Sequence, residues 1–339
     1  QGGMYGNALY AASWRGREKV VQMLIDAGAV VNAQGGHYGN ALQAASEGGY
    51  EKVVQMLMDA GADVNAQGGK YGNALYAASW RGREKVVQML MDAGADVNAQ
   101  GGKYGNALYT ASWRGREKVV QMLMDAGADV NAQRGKYGNA LYTASWRGRE
   151  KVVQMLMDAG ADVNAQRGKY GNALQAASRG GYEKVVQMLM DTGADVNAQG
   201  GMYGNALYAA SWRGREKVVQ MLMDAGAVVN AQGGHYGNAL QAASEGGYEK
   251  VVQMLMDAGA DVNAQGGKYG NALQAASRGG YEKVVQMLID AGADVNAQGG
   301  YYGNALQAAS EGGYEKMVQM LMDAGADVNA QGGKYGNAL

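Results

Sequence analysis

The chain has 339 residues, a formal net charge of −1, no cysteine, no proline and no phenylalanine, against 56 glycines and 21 methionines. The missing cysteines exclude disulfides, thiolate nucleophiles and cysteine-based metal sites, and the near-zero net charge by itself indicates neither a nucleic-acid partner nor a membrane. No apolar run approaches the roughly 18 residues of a membrane span. The chain opens with Gln1 and is expected to be a piece of a longer protein, so the absence of a signal peptide carries little information; we expect a cytoplasmic location.

The sequence consists of one short unit copied many times. Glutamine recurs every 33 residues from Gln34 to Gln331. Ten whole repeats occupy residues 2–331 and a partial one begins at 332–339, so we expect a single solenoid over residues 1–339 that is a fragment of a longer array. Places are numbered from the first residue of each repeat; Gly68 is place one of the third.

The third repeat predicts two short helices followed by a loop. Asn73 is suited to cap the first helix, because its side chain can accept from free backbone N–H groups of the first turn, and Gly82 is suited to end it. A second helix is predicted from Glu84 to Gly94. Its apolar stripe at helical spacing consists of Val86, Val87, Leu90 and Met91. The remaining polar, glycine-rich residues are typical of an extended loop or hairpin.

Repeats whose first helix begins NALQ carry a further signal. In the second repeat, Asn40 and Gln43 can form a reciprocal capping box. A helix pair this small cannot bury its apolar face alone. The predicted fold is therefore an all-α solenoid in which consecutive units stack and share one core.

These patterns resemble the ankyrin repeat along the whole chain. The resemblance rests on the period, on GADVNA at residues 94–99, on the AAS and glycine of residues 77–82, and on the EKVVQML helix. It implies an ankyrin-repeat solenoid of helix-turn-helix units joined by hairpin-like loops, whose first helices and loop tips line a concave binding face. Here NALY or NALQ replaces the T-P-L-H of the family, which puts part of the usual inter-repeat hydrogen bonding in doubt. The combination of YGNAL-AAS with EKVVQML-DAGADVNAQ further resembles the ankyrin arrays of fungal NACHT-type, NLR-like receptors.

Differences among the repeats concentrate in the loop tip, the first helix and the turn after it, in two linked sets. Repeats one, three, four, five and seven have tyrosine at place nine and Trp-Arg-Gly-Arg from place thirteen, whereas the others have glutamine at place nine and a Gly-Gly-Tyr ending. Places nine and thirteen are one helical turn apart, so we expect both on one exposed face. The predicted partner-binding residues are Tyr10, Trp14, Arg15, Arg17, Tyr76, Trp80, Arg81, Arg83, Tyr109, Trp113, Arg114, Arg116, Tyr142, Trp146, Arg147, Arg149, Tyr208, Trp212, Arg213, Arg215, Gln43, Glu47 and Tyr50.

The alternative to that assignment is that the tyrosine and tryptophan side chains pack between neighbouring repeats. Charge adds a pattern, since repeats three to seven sum to +6 and repeats eight to ten to −6. The basic, aromatic-rich stretch suits an acidic protein surface or a nucleic-acid backbone, or it is simply a solvated surface.

Nothing in the sequence indicates catalysis, a cofactor or a metal site. His37 and His235 are expected at exposed loop tips, and carboxylates such as Glu84 and Asp92 recur in every unit, which favours an architectural role. The methionines at 89 and 91 are expected to pack in the core.

The predicted function is a non-catalytic array that binds a protein partner, for ligand sensing or scaffolding. Repeats one and two match repeats seven and eight at 65 of 66 positions. Such recent duplication suits nonself recognition. Two alternatives remain: self-association into filaments or tubes, and nucleic-acid binding through the Arg/Trp/Tyr face, which the acidic repeats disfavour.

Overall fold

The computed structural model describes residues 6–37, 39–102, 105–133, 138–166, 171–235, 237–332 and 336–337. The chain forms two compact units, Gln1–Asp162 and Val163–Leu339. The expectation of one continuous solenoid stays a prediction.

Each repeat contributes one pair of helices. Within the described residues of the first unit the helices are α1 (Ala8–Trp14), α2 (Glu18–Asp26), α3 (Ala41–Gly48), α4 (Glu51–Asp59), α5 (Ala74–Arg81), α6 (Glu84–Asp92), α7 (Ala107–Arg114), α8 (Glu117–Asp125), α9 (Ala140–Trp146) and α10 (Glu150–Asp158). Those of the second unit are α11 (Ala173–Gly180), α12 (Glu183–Asp191), α13 (Ala206–Ser211), α14 (Glu216–Asp224), α15 (Ala239–Glu245), α16 (Glu249–Asp257), α17 (Ala272–Gly279), α18 (Glu282–Asp290), α19 (Ala305–Glu311) and α20 (Glu315–Asp323). Two strands of two residues each, β1 (Gln331–Gly332) and β2 (Gly336–Asn337), pair antiparallel. The predicted all-α solenoid of helix-turn-helix units is confirmed.

The first helix of each repeat starts at its asparagine, as predicted. In α5, Oδ1 of Asn73 accepts from the backbone N–H of Tyr76 at 2.7 Å. The helix ends at Gly82, whose φ of 74° lies in the left-handed region that favours glycine. Nδ2 of Asn73 also donates to the carbonyl of Gln100 at 3.1 Å, so the cap ties its own repeat to the following one.

The predicted capping box forms wherever glutamine occupies place nine. Oε1 of Gln43 accepts from the backbone N–H of Asn40 at 2.9 Å, and Oδ1 of Asn40 accepts from the N–H of Gln43 at 2.9 Å. The same box is present at the start of α11, α15, α17 and α19. It satisfies two backbone donors that the first turn of a helix leaves without partners.

The second helices carry the apolar stripe that anchors the stack. In α6, Val86, Val87 and Leu90 are buried, as the spacing predicted. Met89 and Met91 are only half-buried, so the expectation that both belong to the core is correct only in part. Both lie at the edge of the stripe, where a flexible thioether side chain can cover the boundary between core and solvent.

Repeats stack by placing like helices side by side. In the first unit α5 packs between α3 and α7, and α6 packs between α4 and α8; the second unit repeats the arrangement. Ala77 and Ala78 have no exposed surface, and their small side chains let neighbouring first helices approach closely. Each repeat thereby covers the apolar face of the repeat before it.

The loops are joined by an asparagine in each described repeat junction. Nδ2 of Asn65 donates to the carbonyl of Gly94 at 3.0 Å, and Oδ1 of Asn65 accepts from the backbone N–H of Asp96 at 2.8 Å. The loops also contain short antiparallel bridges, such as Gly68 with Gly72. The predicted hairpin-like character of the loops is therefore present.

Candidate partner-binding surface

The side chains at place nine lie in the interior, which corrects the expectation that they share an exposed face with place thirteen. Tyr76 is 1% exposed and Gln43 is 1% exposed. The other place-nine tyrosines of this prediction are also buried; they are Tyr10, Tyr109, Tyr142 and Tyr208. At place thirteen, Glu47 is also buried, at 5% exposed. These residues cannot present their side chains to a partner in this conformation.

These side chains are buried because the loop of the following repeat covers them. A Cβ atom at Gly101 would lie 2.6 Å from Cγ of Tyr76, so the tyrosine ring fills the space that the glycine leaves. In the other set, Nε2 of Gln43 donates to the carbonyls of Ala66 at 2.9 Å and Gly72 at 2.8 Å. The two sets are thus two ways to hold the next loop, one by ring packing and one by hydrogen bonds.

The tryptophans at place thirteen are half-buried and reach the surface. They are Trp14, Trp80, Trp113, Trp146 and Trp212. The Trp80 ring packs against the buried Tyr71–Tyr76 pair, and the ring centroids of Tyr71 and Trp80 are 6.1 Å apart. One face of the indole is therefore anchored in the core while the rest remains open to contact.

Arginines of one repeat lie over the tryptophan of the repeat before. The guanidinium carbon of Arg114 is 4.8 Å from the Trp80 ring centroid, and that of Arg147 is 5.2 Å from the Trp113 centroid. We call the resulting set the Trp/Arg surface; it lies in the first unit and comprises Trp80, Trp113, Trp146, Arg81, Arg114 and Arg147. Sequence reasoning assigned these residues to the surface but missed their contacts across repeats.

The arginines at place sixteen have a second role between repeats. A Cβ atom at Gly49 would lie 2.6 Å from Cδ of Arg83, and Nε of Arg83 donates to the carbonyl of Glu47 at 3.3 Å. Arg149 and Arg215 make the corresponding bonds. In the glutamine set a tyrosine takes this place, and Tyr50 packs over Gly16 while remaining 37% exposed. Arg15, Arg17 and Arg213 are exposed, and Arg116 is half-buried.

The Trp/Arg surface concentrates positive charge. Burial lowers the pKa of Arg114, and the charges of Arg116, Arg81, Arg147 and Arg149 lower it further. Within the described part of this surface, Arg81 forms an ion pair with Glu47, its Nε donating to Oε1 at 2.6 Å. The remaining guanidinium groups repel one another, so a carboxylate from outside would be stabilised here.

In the second unit the last three place-thirteen residues, Glu245, Arg278 and Glu311, alternate in charge. Glu245 accepts from the indole N–H of Trp212 and pairs with Arg278 at 3.4 Å. Burial raises the pKa of Glu245, and the charge of Arg278 opposes that shift. The pKa of Arg278 is raised, and the largest contribution is a hydrogen bond with the Tyr302 side chain. A polar cleft beside this chain of contacts is lined by Glu245, Arg278, Tyr302 and Glu311, among others.

The remaining sequence expectations have simple outcomes. His37 and His235 are exposed in their loops. Glu84 pairs with Lys118 of the next repeat at 3.5 Å, and Asp92 accepts from Gln88 at 2.7 Å. Among the described residues, no group of three or more His, Asp or Glu side chains is placed to hold a metal ion. No helix in the described ranges is long and apolar enough to cross a membrane.

Comparison with known families agrees with this architecture. A model described as ankyrin repeats in three copies matches residues 8–101, 71–134, 102–167, 141–233, 174–266 and 239–332. No curated protein shows significant similarity to the chain.

Proposed function

The chain belongs to the ankyrin-repeat family, and from that premise we propose that it is a binding array whose Trp/Arg surface contacts an acidic region of a protein partner. Ankyrin repeats generally mediate protein–protein interactions, and proteins built from them are typically not enzymes.

The observation that carries the proposal is the contact of the half-buried Trp80 and Trp113 with the guanidinium groups of Arg114 and Arg147. Trp80 is fixed on its inner side by Tyr71, so little side-chain freedom is lost when a partner covers its outer side. Trp and Arg are also the residue types enriched at interface hot spots. The cluster around Arg114 adds a positive potential that steers acidic partners.

The finer role that we propose is ligand sensing or scaffolding, including nonself recognition. Core positions such as Val86 and Leu90 stay constant or nearly so among the repeats, whereas place thirteen varies among Trp, Glu and Arg. Near-identical blocks indicate that repeats have been duplicated recently. Exchange of repeats would then change the surface without changing the stack. The resemblance to fungal NLR-like arrays supports this role.

The proposal is tested with the variant Trp80→Ala, Trp113→Ala, Trp146→Ala. Proteins captured from a cell lysate by the wild-type chain are quantified by mass spectrometry and compared with those that the variant captures. We expect the variant to lose its principal partner. Circular dichroism checks that helix content is retained.

A matched control uses Lys85→Ala, Lys118→Ala, Lys151→Ala. These lysines are exposed, they recur with the same spacing, and they lie on the second helices. Their exposed ion pairs contribute little to stability. Capture should be unchanged in the lysine variant. Equal loss in both variants, or no loss in the tryptophan variant, would refute the assigned surface.

Self-association is a second candidate, favoured by the opposite charges of repeats three to seven and eight to ten. The basic region of one copy would bind the acidic region of another. This contact joins two different surfaces, so each copy can bind a further one and the assembly can grow into an open filament. Sedimentation over a wide concentration range tests it. Growing mass would support assembly into filaments or tubes, whereas a constant monomer mass would rule it out.

Nucleic-acid binding is a third candidate, and the arginine cluster around Arg114 favours it. It predicts binding to duplex DNA that weakens steeply with salt. The acidic repeats eight to ten argue against it. A titration with duplex DNA at two salt concentrations decides the question, and absence of binding at low salt excludes it.

A further inference from the structure

A small apolar pocket opens in the second unit. It is lined by Met202, Tyr203, Tyr208, Trp212 and His235 and has a volume of about 140 Å³. The walls come from the loop and first helix of the seventh repeat, and the rim comes from the loop of the eighth. Pockets for drug-sized ligands measure about 300–1,000 Å³. This pocket therefore suits a single side chain.

The pocket has a methionine at place three, where several other repeats have lysine. In the third repeat, Nζ of Lys70 lies 5.2 Å from the ring centroid of Tyr71, and in the ninth repeat Lys268 lies 5.2 Å from that of Tyr269. The seventh repeat has Met202 at this place, so no ammonium group of its own repeat lies on the Tyr203 ring. The exchange replaces an ammonium group with a thioether side chain, which adds apolar surface to the wall of the pocket.

The charges around the pocket are mainly positive. The guanidinium carbon of Arg179 lies 5.4 Å from the Tyr203 centroid and 5.5 Å from the Trp212 centroid. Arg213 lies 4.7 Å from the Trp212 centroid. The nearby carboxylate of Glu245 is already held by the Trp212 indole N–H and by Arg278. A cation entering the pocket would meet two guanidinium groups, whereas an anion beside it would be attracted.

We propose that this pocket anchors one bulky apolar side chain of an acidic segment in a protein partner. The apolar side chain fills the space between Tyr203, Tyr208 and Trp212, and carboxylates next to it in the partner approach Arg179 and Arg213. The inference rests on the proposed protein-binding function and adds a site separate from the Trp/Arg surface. It also gives the partner's chemistry, an apolar anchor between acidic residues.

The first two repeats carry the same residue types at the corresponding places. These are Met4, Tyr5, Tyr10, Trp14 and His37. Met4 and Tyr5 lie outside the described residues, so the site is argued for the second unit alone. The experiment nevertheless changes both copies, because a second site of the same composition would mask the loss of the first.

The test uses the full chain and the capped peptide Asp-Glu-Leu-Glu-Asp, with binding measured by isothermal titration calorimetry. The peptide with Ala in place of Leu serves as the control for the anchor. The variant Met4→Lys, Met202→Lys restores the residue that other repeats carry at place three, so it is expected to fold. We expect the preference for the leucine peptide over the alanine peptide to fall about tenfold in this variant, since the loss of an apolar pocket contact has effects of this size. The added ammonium groups attract both peptides alike, so the ratio of the two affinities isolates the apolar contact.

A second variant, Arg179→Glu, tests the charge assignment. Glutamate occupies the same place in repeats two, eight and ten, so the change is compatible with the fold. The change should weaken binding of the acidic peptide and leave the preference for leucine over alanine unchanged. Equal binding of the leucine and alanine peptides to the wild-type chain, or an unchanged preference for leucine in the lysine variant, would overturn the pocket. Tighter binding of tetramethylammonium or of Lys-Lys-Leu-Lys-Lys would overturn the acidic partner.

The triple tryptophan variant separates this inference from the proposed function. Trp80, Trp113 and Trp146 belong to the first unit, so their replacement should leave the peptide affinity of the pocket unchanged. If capture of partners does not depend on these tryptophans while the peptide still binds, the Trp/Arg surface fails and the pocket stands. If capture depends on them and the peptide does not bind, the pocket fails alone.

Discussion

The guanidinium of Arg114 lies 4.8 Å from the ring centroid of Trp80, although the two residues belong to different repeats. The contact recurs between Arg147 and Trp113. In repeats four and five an arginine side chain thus covers the indole of the repeat before it. The surface that we propose for partner binding is therefore formed by pairs of repeats, and a single isolated repeat would not reproduce it.

Replacement of Arg114 by Gln should cost little stability at low salt. The lost cation–π contact contributes about 0.5–1 kcal/mol at an exposed site, but relief of repulsion from Arg116, Arg81, Arg147 and Arg149 offsets part of it. Salt screens that repulsion, so the loss should grow between low and high NaCl concentrations in urea unfolding. A loss that shrinks with salt would mean that Arg114 is held mainly by attractive ion pairs.

Exchange of the residue at place nine should be tolerated when the new residue is glutamine. Tyr76→Ala should lower the free energy of unfolding by about 3–5 kcal/mol, as for other large buried aromatic side chains. Tyr76→Gln should lose less than half of that. The glutamine can form the capping box with Asn73 and donate to the carbonyls of Ala99 and Gly105, as Gln43 does in its own repeat.

Thermal and urea unfolding of the two Tyr76 variants check this prediction, with Gln43→Ala as the reference for the loss of the hydrogen bonds. The interpretation of the two sets as alternative packings would be wrong if Tyr76→Gln and Tyr76→Ala were equally destabilised.

A methyl group at Gly101 should destabilise the first unit. The added Cβ would lie 2.6 Å from Cγ of Tyr76, and overpacking of this kind costs about 1–3 kcal/mol. A double-mutant cycle with Tyr76→Ala isolates the clash. The cost of Gly101→Ala should nearly vanish once the ring is gone. An unchanged cost would place its cause in the backbone of the loop and not in the ring.

The pH dependence of stability should report Glu245. Burial raises its pKa above the ordinary value of 4.5, so the folded state binds a proton more tightly than the unfolded state does. Stability from this group therefore increases as pH falls through the raised folded pKa towards 4.5. Glu245→Gln keeps an acceptor for Trp212 and removes the titration. The difference in unfolding free energy between variant and wild type should change in that window, and a constant difference would contradict the shift.

The helices could be predicted from the sequence because their ends depend on local chemistry. Asn73 and Gly82 act within one turn of the helix that they cap. The spacing of Val86 and Leu90 indicates which face of the second helix is buried. The repeat period then predicts the stack, since every unit has the same unpaired apolar face.

For place nine the sequence left two environments open, an exposed face and packing between neighbouring repeats, and the buried Tyr76 ring agrees with the second. Tyr76 and Trp80 are four residues apart, which indicated a shared face, but the atoms that cover Tyr76 belong to the following repeat. The available signal was the glycine at places one and two of most repeats, where Gly101 leaves room for the ring. The contact of Arg114 with Trp80 was missed for the same reason.

Amide hydrogen exchange of the full chain, alone and with its captured partner, tests the central claim most directly. The account predicts that partner binding slows exchange at the ends of three first helices and in the turns after them, residues 79–83, 112–116 and 145–149. Exchange in the second helices α6, α8 and α10 should change little. Protection confined to those second helices, with none around Trp80, Trp113 and Trp146, would contradict the assignment of the Trp/Arg surface.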